Sequence, residues 1–145
     1  MKTYNMPRMR NPFVDDPPRK RFKDHDLRVC TWNVRTLYRE GASIQLVNVL
    51  KKYKADITAL QEIRWKGQGC RKMQSCDIYY SGHAEKRILG CGFAVGERLR
   101  DLVLQFTPVN ERLATIRIIA KYFNISLICA HAPTNEKDDA TKEAF

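Results

Sequence analysis

Two stretches, Arg28-Val29-Cys30-Thr31-Trp32-Asn33-Val34 and Asp56-Ile57-Thr58-Ala59-Leu60-Gln61-Glu62, decide how this chain folds. Each is a short apolar run rich in β-formers, and the two carry near their ends an amide, Asn33, and a carboxylate, Glu62. Between them, Glu40 to Lys54 places Ile44, Val47, Leu50 and Lys54, with Leu46 and Val49, at helical spacing. A strand, helix, strand unit is predicted. In such units the strands usually run parallel in one sheet, so both ends emerge on one rim, where open α/β sheets hold their ligands. Asn33 and Glu62 are therefore expected to share a site.

Working outward, short strands are predicted near Asp77–Ser81, Cys91–Val95, Leu102–Phe106, Leu113–Ala120 and Tyr122–Ala130. Their close spacing implies antiparallel hairpins. Lys121-Tyr122 marks a turn or bulge, and Glu136–Phe145 reads as the start of a helix. Residues 1–26 hold four of the six prolines and the run Arg19-Lys20-Arg21-Phe22-Lys23 without apolar periodicity, the pattern of a flexible basic leader. That run suits a nuclear-localisation element, a nucleic-acid arm or a solvated tail. The folded part is expected over 27–145.

The residues also resemble a known family. Thr31-Trp32-Asn33-Val34-Arg35-Thr36-Leu37, then Leu60-Gln61-Glu62-Ile63-Arg64-Trp65, look like the opening of the endonuclease/exonuclease/phosphatase superfamily. Gly90-Cys91-Gly92-Phe93-Ala94-Val95 resembles its glycine-flanked central strand, and Cys129-Ala130-His131-Ala132-Pro133-Thr134 its Tyr-Ala-Pro turn. The wording is most similar to endonuclease domains of non-LTR retrotransposons and to craniofacial development protein 2-like proteins. The resemblance implies an α/β fold, the N-terminal half of a deoxyribonuclease-like sandwich of two mixed sheets with outer helices, incomplete in this chain. It implies hydrolysis of phosphodiester bonds with Mg²⁺ or Mn²⁺, Glu62 and Asn33 serving the metal and Asn33 orienting the reacting oxygen. His131 takes the place of the family's tyrosine. The family's aspartate-any-asparagine segment and its late Asp-His pair would follow Phe145, so the missing C-terminal half of the domain is an expected partner.

For Glu62 the plain alternative is a solvated strand-end carboxylate, and for Asn33 a turn-forming amide. Mg²⁺ is typically held by one or two protein carboxylates, with water and phosphate oxygens completing the octahedron. One carboxylate at the right place is then indispensable.

Composition points to a polyanionic partner. The chain has 145 residues, 43% of them hydrophobic, enough for one modest domain or part of one. The formal net charge is +10, and residues 27–134 carry 17 Lys and Arg against 8 Asp and Glu. Such an excess suits nucleic-acid phosphates, with DNA the expected partner. After Glu62, Arg64, Lys66, Arg71 and Lys72 surround Trp65 in what reads as a loop loosened by Gly67 and Gly69. The loop would offer cations to phosphates and an indole to a base, unless Trp65 folds back onto the sheet. Arg35 either touches phosphate or pairs with Glu40.

The five cysteines form no CxxC pair and have no histidine at metal-ligand spacing, which argues against a zinc site. Cys30, Cys91 and Cys129 fall on predicted strands, where free cysteine serves as a small apolar residue. The odd count and the lack of a signal peptide suggest a reducing compartment, and no apolar run reaches membrane-spanning length. An intracellular, nuclear protein is expected. Three functions fit: a Mg²⁺-dependent DNA endonuclease domain inactive on its own, a catalytically silent nucleic-acid-binding remnant, or a phosphatase of the same superfamily.

Overall fold

A computed structural model describes residues 26–133 and 139–143. The leader expected over 1–26 therefore lies outside the described residues except for Asp26. Among the described residues the chain forms β1 (Val29–Asn33), α1 (Ala42–Lys52), β2 (Ile57–Gln61), β3 (Gln68–Lys72), β4 (Cys76–Ser81) and β5 (Cys91–Gly96). A single 3₁₀ turn, Arg100–Leu102, leads into β6 (Val103–Asn110), β7 (Leu113–Ile118), β8 (Ile125–Ala130) and a short α2 (Asp139–Glu143).

One sheet has the order β1-β2-β5-β4-β3, and a second the order β6-β7-β8. β1 and β2 are parallel, with Asn33 opposite Gln61, and every other pairing is antiparallel. The molecule is thus an α/β sandwich of one mixed and one antiparallel sheet, with α1 outside. The strand expected over Leu102–Phe106 runs on to Asn110, that over Leu113–Ala120 ends at Ile118, and that over Tyr122–Ala130 begins only at Ile125.

Side-chain alternation builds two cores from the five-stranded sheet. Leu60, Ile78 and Ala94 face Leu46, Val47 and Leu50 of α1 in one cluster. Ile57, Cys91, Phe93 and Val95 point to the other face and meet Ala114, Ile116, Ile118 and Cys129 of the second sheet. On the first of these faces position 92 is glycine because a Cβ there would collide with the Tyr79 carbonyl of neighbouring β4. The helix presents a narrower face than its periodicity suggested, since Ile44 is 58% exposed. It closes in a Schellman arrangement, Lys54 N–H donating to Lys51 O and Ala55 N–H to Leu50 O, with Lys54 left-handed at φ 53°.

Buried Asp56 ties the start of β1 to β2. Its Oδ2 accepts the Arg28 N–H at 2.9 Å, and its Oδ1 pairs with Arg98 at 3.1 Å. β1 itself is exposed along its whole length, so Cys30 on it is not the buried residue expected from its strand, whereas Cys91 and Cys129 are buried. The difference is positional: Cys30 sits on an edge strand and the other two sit between the sheets.

Candidate functional site

The rim forms where four chain segments are tied together by backbone bonds. Val34 N–H donates to Gln61 O and Leu37 N–H to Ile63 O, which fixes the chain leaving β1 against the chain leaving β2. Ile63 and Arg64 N–H donate to Gly90 and Leu89 carbonyls, and His131 N–H to Arg112 O. Among the described residues, four of the five non-glycine residues with positive φ lie here: Arg35 at 56°, Glu62 at 57°, Arg64 at 58° and Leu89 at 52°. A left-handed residue that is not glycine costs about 1 kcal/mol or more and persists only where its surroundings hold it.

Glu62 is the centre of this rim. Asn33 Nδ2 donates to Glu62 Oε1 at 2.9 Å, and Arg64 Nη2 lies 3.0 Å from Oε2. His131 Nε2 is 3.9 Å from Oε1. Asn33 Oδ1 in turn accepts the Arg35 N–H at 3.1 Å, so the amide is held at both ends. The Asn33 hydrogen bond, opposed by partial burial and aided by Arg64, holds the Glu62 carboxyl below its ordinary pKa. It is an ionised oxygen donor. Around it opens a cleft of about 750 Å³ bordered by Trp32, Arg35, Thr36, Arg39, Glu62 and Arg64.

Asn33 and Glu62 meet as their strand ends imply, and the fold brings His131 to them as well. His131 is oriented by Arg112, whose Nη1 donates to the His131 carbonyl at 2.9 Å, while its buried Nδ1 has no hydrogen-bond partner. No carboxylate among the described residues pairs with Nδ1. Gln61, missed as a site neighbour, links the layers by donating to Thr31 Oγ1 at 3.1 Å and to Cys129 Sγ at 3.4 Å. Its place next to Glu62 was the available signal.

In the basic segment the structure decides between the two readings of Trp65 and corrects the expected loop. Trp65 is not a free stacking platform, because its indole is 4% exposed within the α1 core and Nε1 donates to Leu37 O at 3.0 Å. The segment after Glu62 is not one long loop either, because Gln68–Lys72 pairs with β4 as an edge strand. Backbone pairing overrides the weak β propensity of Gln-Gly-Cys-Arg-Lys. Arg71 and Lys72 thus project from a strand, Arg71 over Trp65 with 3.9 Å from guanidinium to ring centre. Arg64 and Lys66 remain exposed near the rim, and Arg35 is exposed without an ion pair to Glu40.

A divalent cation can be held here only in part. Among the described residues no three His, Cys, Asp or Glu side chains converge on a point. Glu62 supplies one hard, ionised oxygen, and Asn33 Oδ1 keeps one lone pair beyond the Arg35 bond. That donor set fits a hard cation whose remaining ligands are water and phosphate oxygens. No helix among the described residues is long and apolar enough to cross a membrane.

No protein-family model matches the chain. Over 106 residues it is 29% identical to Craniofacial development protein 2 of Bos taurus and 28% identical to that of Tragulus javanicus, covering 73% of this chain in each case. The chain spans 18% of the length of these curated relatives. Its two-sheet sandwich with Asn33, Glu62 and His131 at one rim thus belongs to a chain similar to Craniofacial development protein 2.

Proposed function

We propose that this chain is the N-terminal part of a Mg²⁺- or Mn²⁺-dependent phosphodiesterase domain of the endonuclease/exonuclease/phosphatase superfamily, acting on DNA as retrotransposon-type endonucleases do. The observation that carries this reading is the 2.9 Å bond from Asn33 to Glu62 at the end of two parallel strands. An ionised carboxylate aimed by an amide, at the edge of a cleft lined by Arg35, Arg39 and Arg64, would suit a hard cation and a phosphate-bearing substrate. Glu62 would hold the cation, which when bound supplies Lewis-acid polarisation of a phosphoryl oxygen. Asn33 fixes the Glu62 rotamer. His131 offers Nε2 to a phosphate oxygen, and Arg35 and Arg64 offset its charge.

The remaining half of the domain is the proposed partner. β6, β7 and β8 lie under β4, β5 and β2, so β1 and β8 are outer strands on the same side of the two sheets. Between them runs a groove of about 440 Å³ lined by Val29, Ala59, Phe93, Leu127 and Ile128, with Ile128 68% exposed. Open edges and apolar faces of this kind invite further strands. Sequestered in a complete domain, the protein would act in the nucleus.

Nucleic-acid binding without hydrolysis is the second reading, favoured by Glu62 being the one carboxylate at the described rim and already engaged by Arg64. Nicking of supercoiled plasmid decides between them. The chain joined to the segment that follows the matched stretch in Craniofacial development protein 2 should nick in Mg²⁺, and Glu62→Gln should abolish it. Failure of that joined, folded protein to nick in Mg²⁺ or Mn²⁺ would favour the binding reading.

A further inference from the structure

Beside the Glu62 cleft lies a second concavity of about 330 Å³, bordered by Tyr38, Arg39, Glu40, Lys66, Arg71 and Arg87. Leu37 and Arg39 border both, so the two are contiguous. Four cations face this space and Glu40 is the one acid beside them. None of Arg39, Lys66, Arg71 or Arg87 forms an ion pair among the described residues. Gathering like charges in a concave wall is unfavourable unless an anion occupies it.

Two of the four are held in place by rings. The Arg87 guanidinium lies 3.7 Å from the Tyr38 ring centre, and that of Arg71 3.9 Å from Trp65. Stacking fixes the plane of each guanidinium while leaving its N–H edge free to donate. Tyr38 is positioned by its N–H donating to Thr36 Oγ1 at 3.1 Å, and Trp65 by its bond to Leu37 O. The arrangement is a pair of oriented forks facing one cleft. Planar forks of this kind match phosphate oxygens.

We propose that this cleft is a second phosphate-binding site, which takes a backbone phosphate of the DNA strand whose reacting phosphate lies at Glu62. The inference rests on the proposed function and extends it by naming Arg39, Arg87 and Arg71, with Lys66, as the track along which the strand leaves the rim. Each phosphate neutralised releases condensed counterions, so each contact has a signature in the salt dependence of binding.

The test is fluorescence anisotropy of a labelled DNA duplex against the whole chain carrying Glu62→Gln, so that cleavage cannot intervene. The double variant Arg39→Gln, Arg87→Gln should bind about tenfold more weakly at moderate salt, with the log–log salt slope reduced by about 1 to 2. Lys51→Gln with Lys52→Gln removes the same charge from the far end of α1 and should leave the slope unchanged. Equal losses in the two doubles would mean that net charge alone matters, and would overturn the site. An unchanged slope in the Arg39, Arg87 double, with binding lost in Arg35→Gln, Arg64→Gln, would overturn it while leaving the proposed function standing. Saturable pyrophosphate binding that needs Arg39 and Arg87, together with unaltered DNA binding in their double variant, would make it a small-phosphate site and also overturn it.

Discussion

Asn33, the last residue of β1, and Glu62, the residue that follows β2 29 positions later, meet through a 2.9 Å hydrogen bond from Asn33 Nδ2 to Glu62 Oε1. The bond needs both the parallel register, which sets Asn33 opposite Gln61, and the left-handed backbone at Glu62, which turns its side chain back across the rim. It joins a sequence pattern to a charge state.

That charge state can be checked. Asn33→Ala removes the largest influence lowering the Glu62 pKa, so the carboxyl should titrate higher, as read by NMR of the carboxyl carbon. Folding lowers this pKa, so the ionised form stabilises the fold above its ordinary range near 4.5, and that contribution disappears as pH falls through the lowered value. The stability gap between wild type and Asn33→Ala should accordingly be largest at neutral pH and shrink in acid. An unchanged Glu62 titration would refute the assignment.

Glu62→Gln should leave the fold intact. Its ion pair with Arg64 is partly exposed, and such pairs are worth about 0–1 kcal/mol. Denaturant melts should shift by no more than about that amount, while Mg²⁺-dependent activity of a completed domain is lost. A loss of several kcal/mol would make Glu62 a structural residue instead.

Trp65 should behave as a core residue. Trp65→Ala is expected to cost about 3–5 kcal/mol through the cavity it leaves beneath α1. Trp65→Phe, which keeps most of the ring and strands the Leu37 carbonyl, should cost about 1–3 kcal/mol by urea unfolding. DNA binding by the folded Trp65→Phe chain should fall only as far as the Arg71 stack is disturbed.

Lys54→Gly is expected to stabilise the chain by about 0.5–1 kcal/mol, because a left-handed position after a helix favours glycine. A thermal melt reads this directly. By contrast, Gly92→Ala should prevent β4 and β5 from pairing, since the Tyr79 carbonyl occupies the space; loss of the cooperative transition is the expected result.

The sequence by itself determined the strand, helix, strand opening, the antiparallel sense of the later pairings and the nearness of Asn33 and Glu62. Those features are local: apolar periods of 2 and 3.6 select strand and helix, and the connection between parallel strands fixes which ends lie together. Only the tertiary structure decided the fates of Trp65, Cys30 and Gln68–Lys72. Trp65 reads alike as a surface indole or a core anchor, and the space under α1 chose the second. Cys30 reads as a strand cysteine like Cys91, but an edge position leaves it exposed. Gln68–Lys72 has little strand propensity, and becomes a strand because β4 offers it backbone partners. The clustering of Tyr38, Arg39, Lys66, Arg71 and Arg87 was likewise invisible along the chain, because separations of up to 49 positions close only when the connection into α1, β3 and the segment before β5 meet around one concavity.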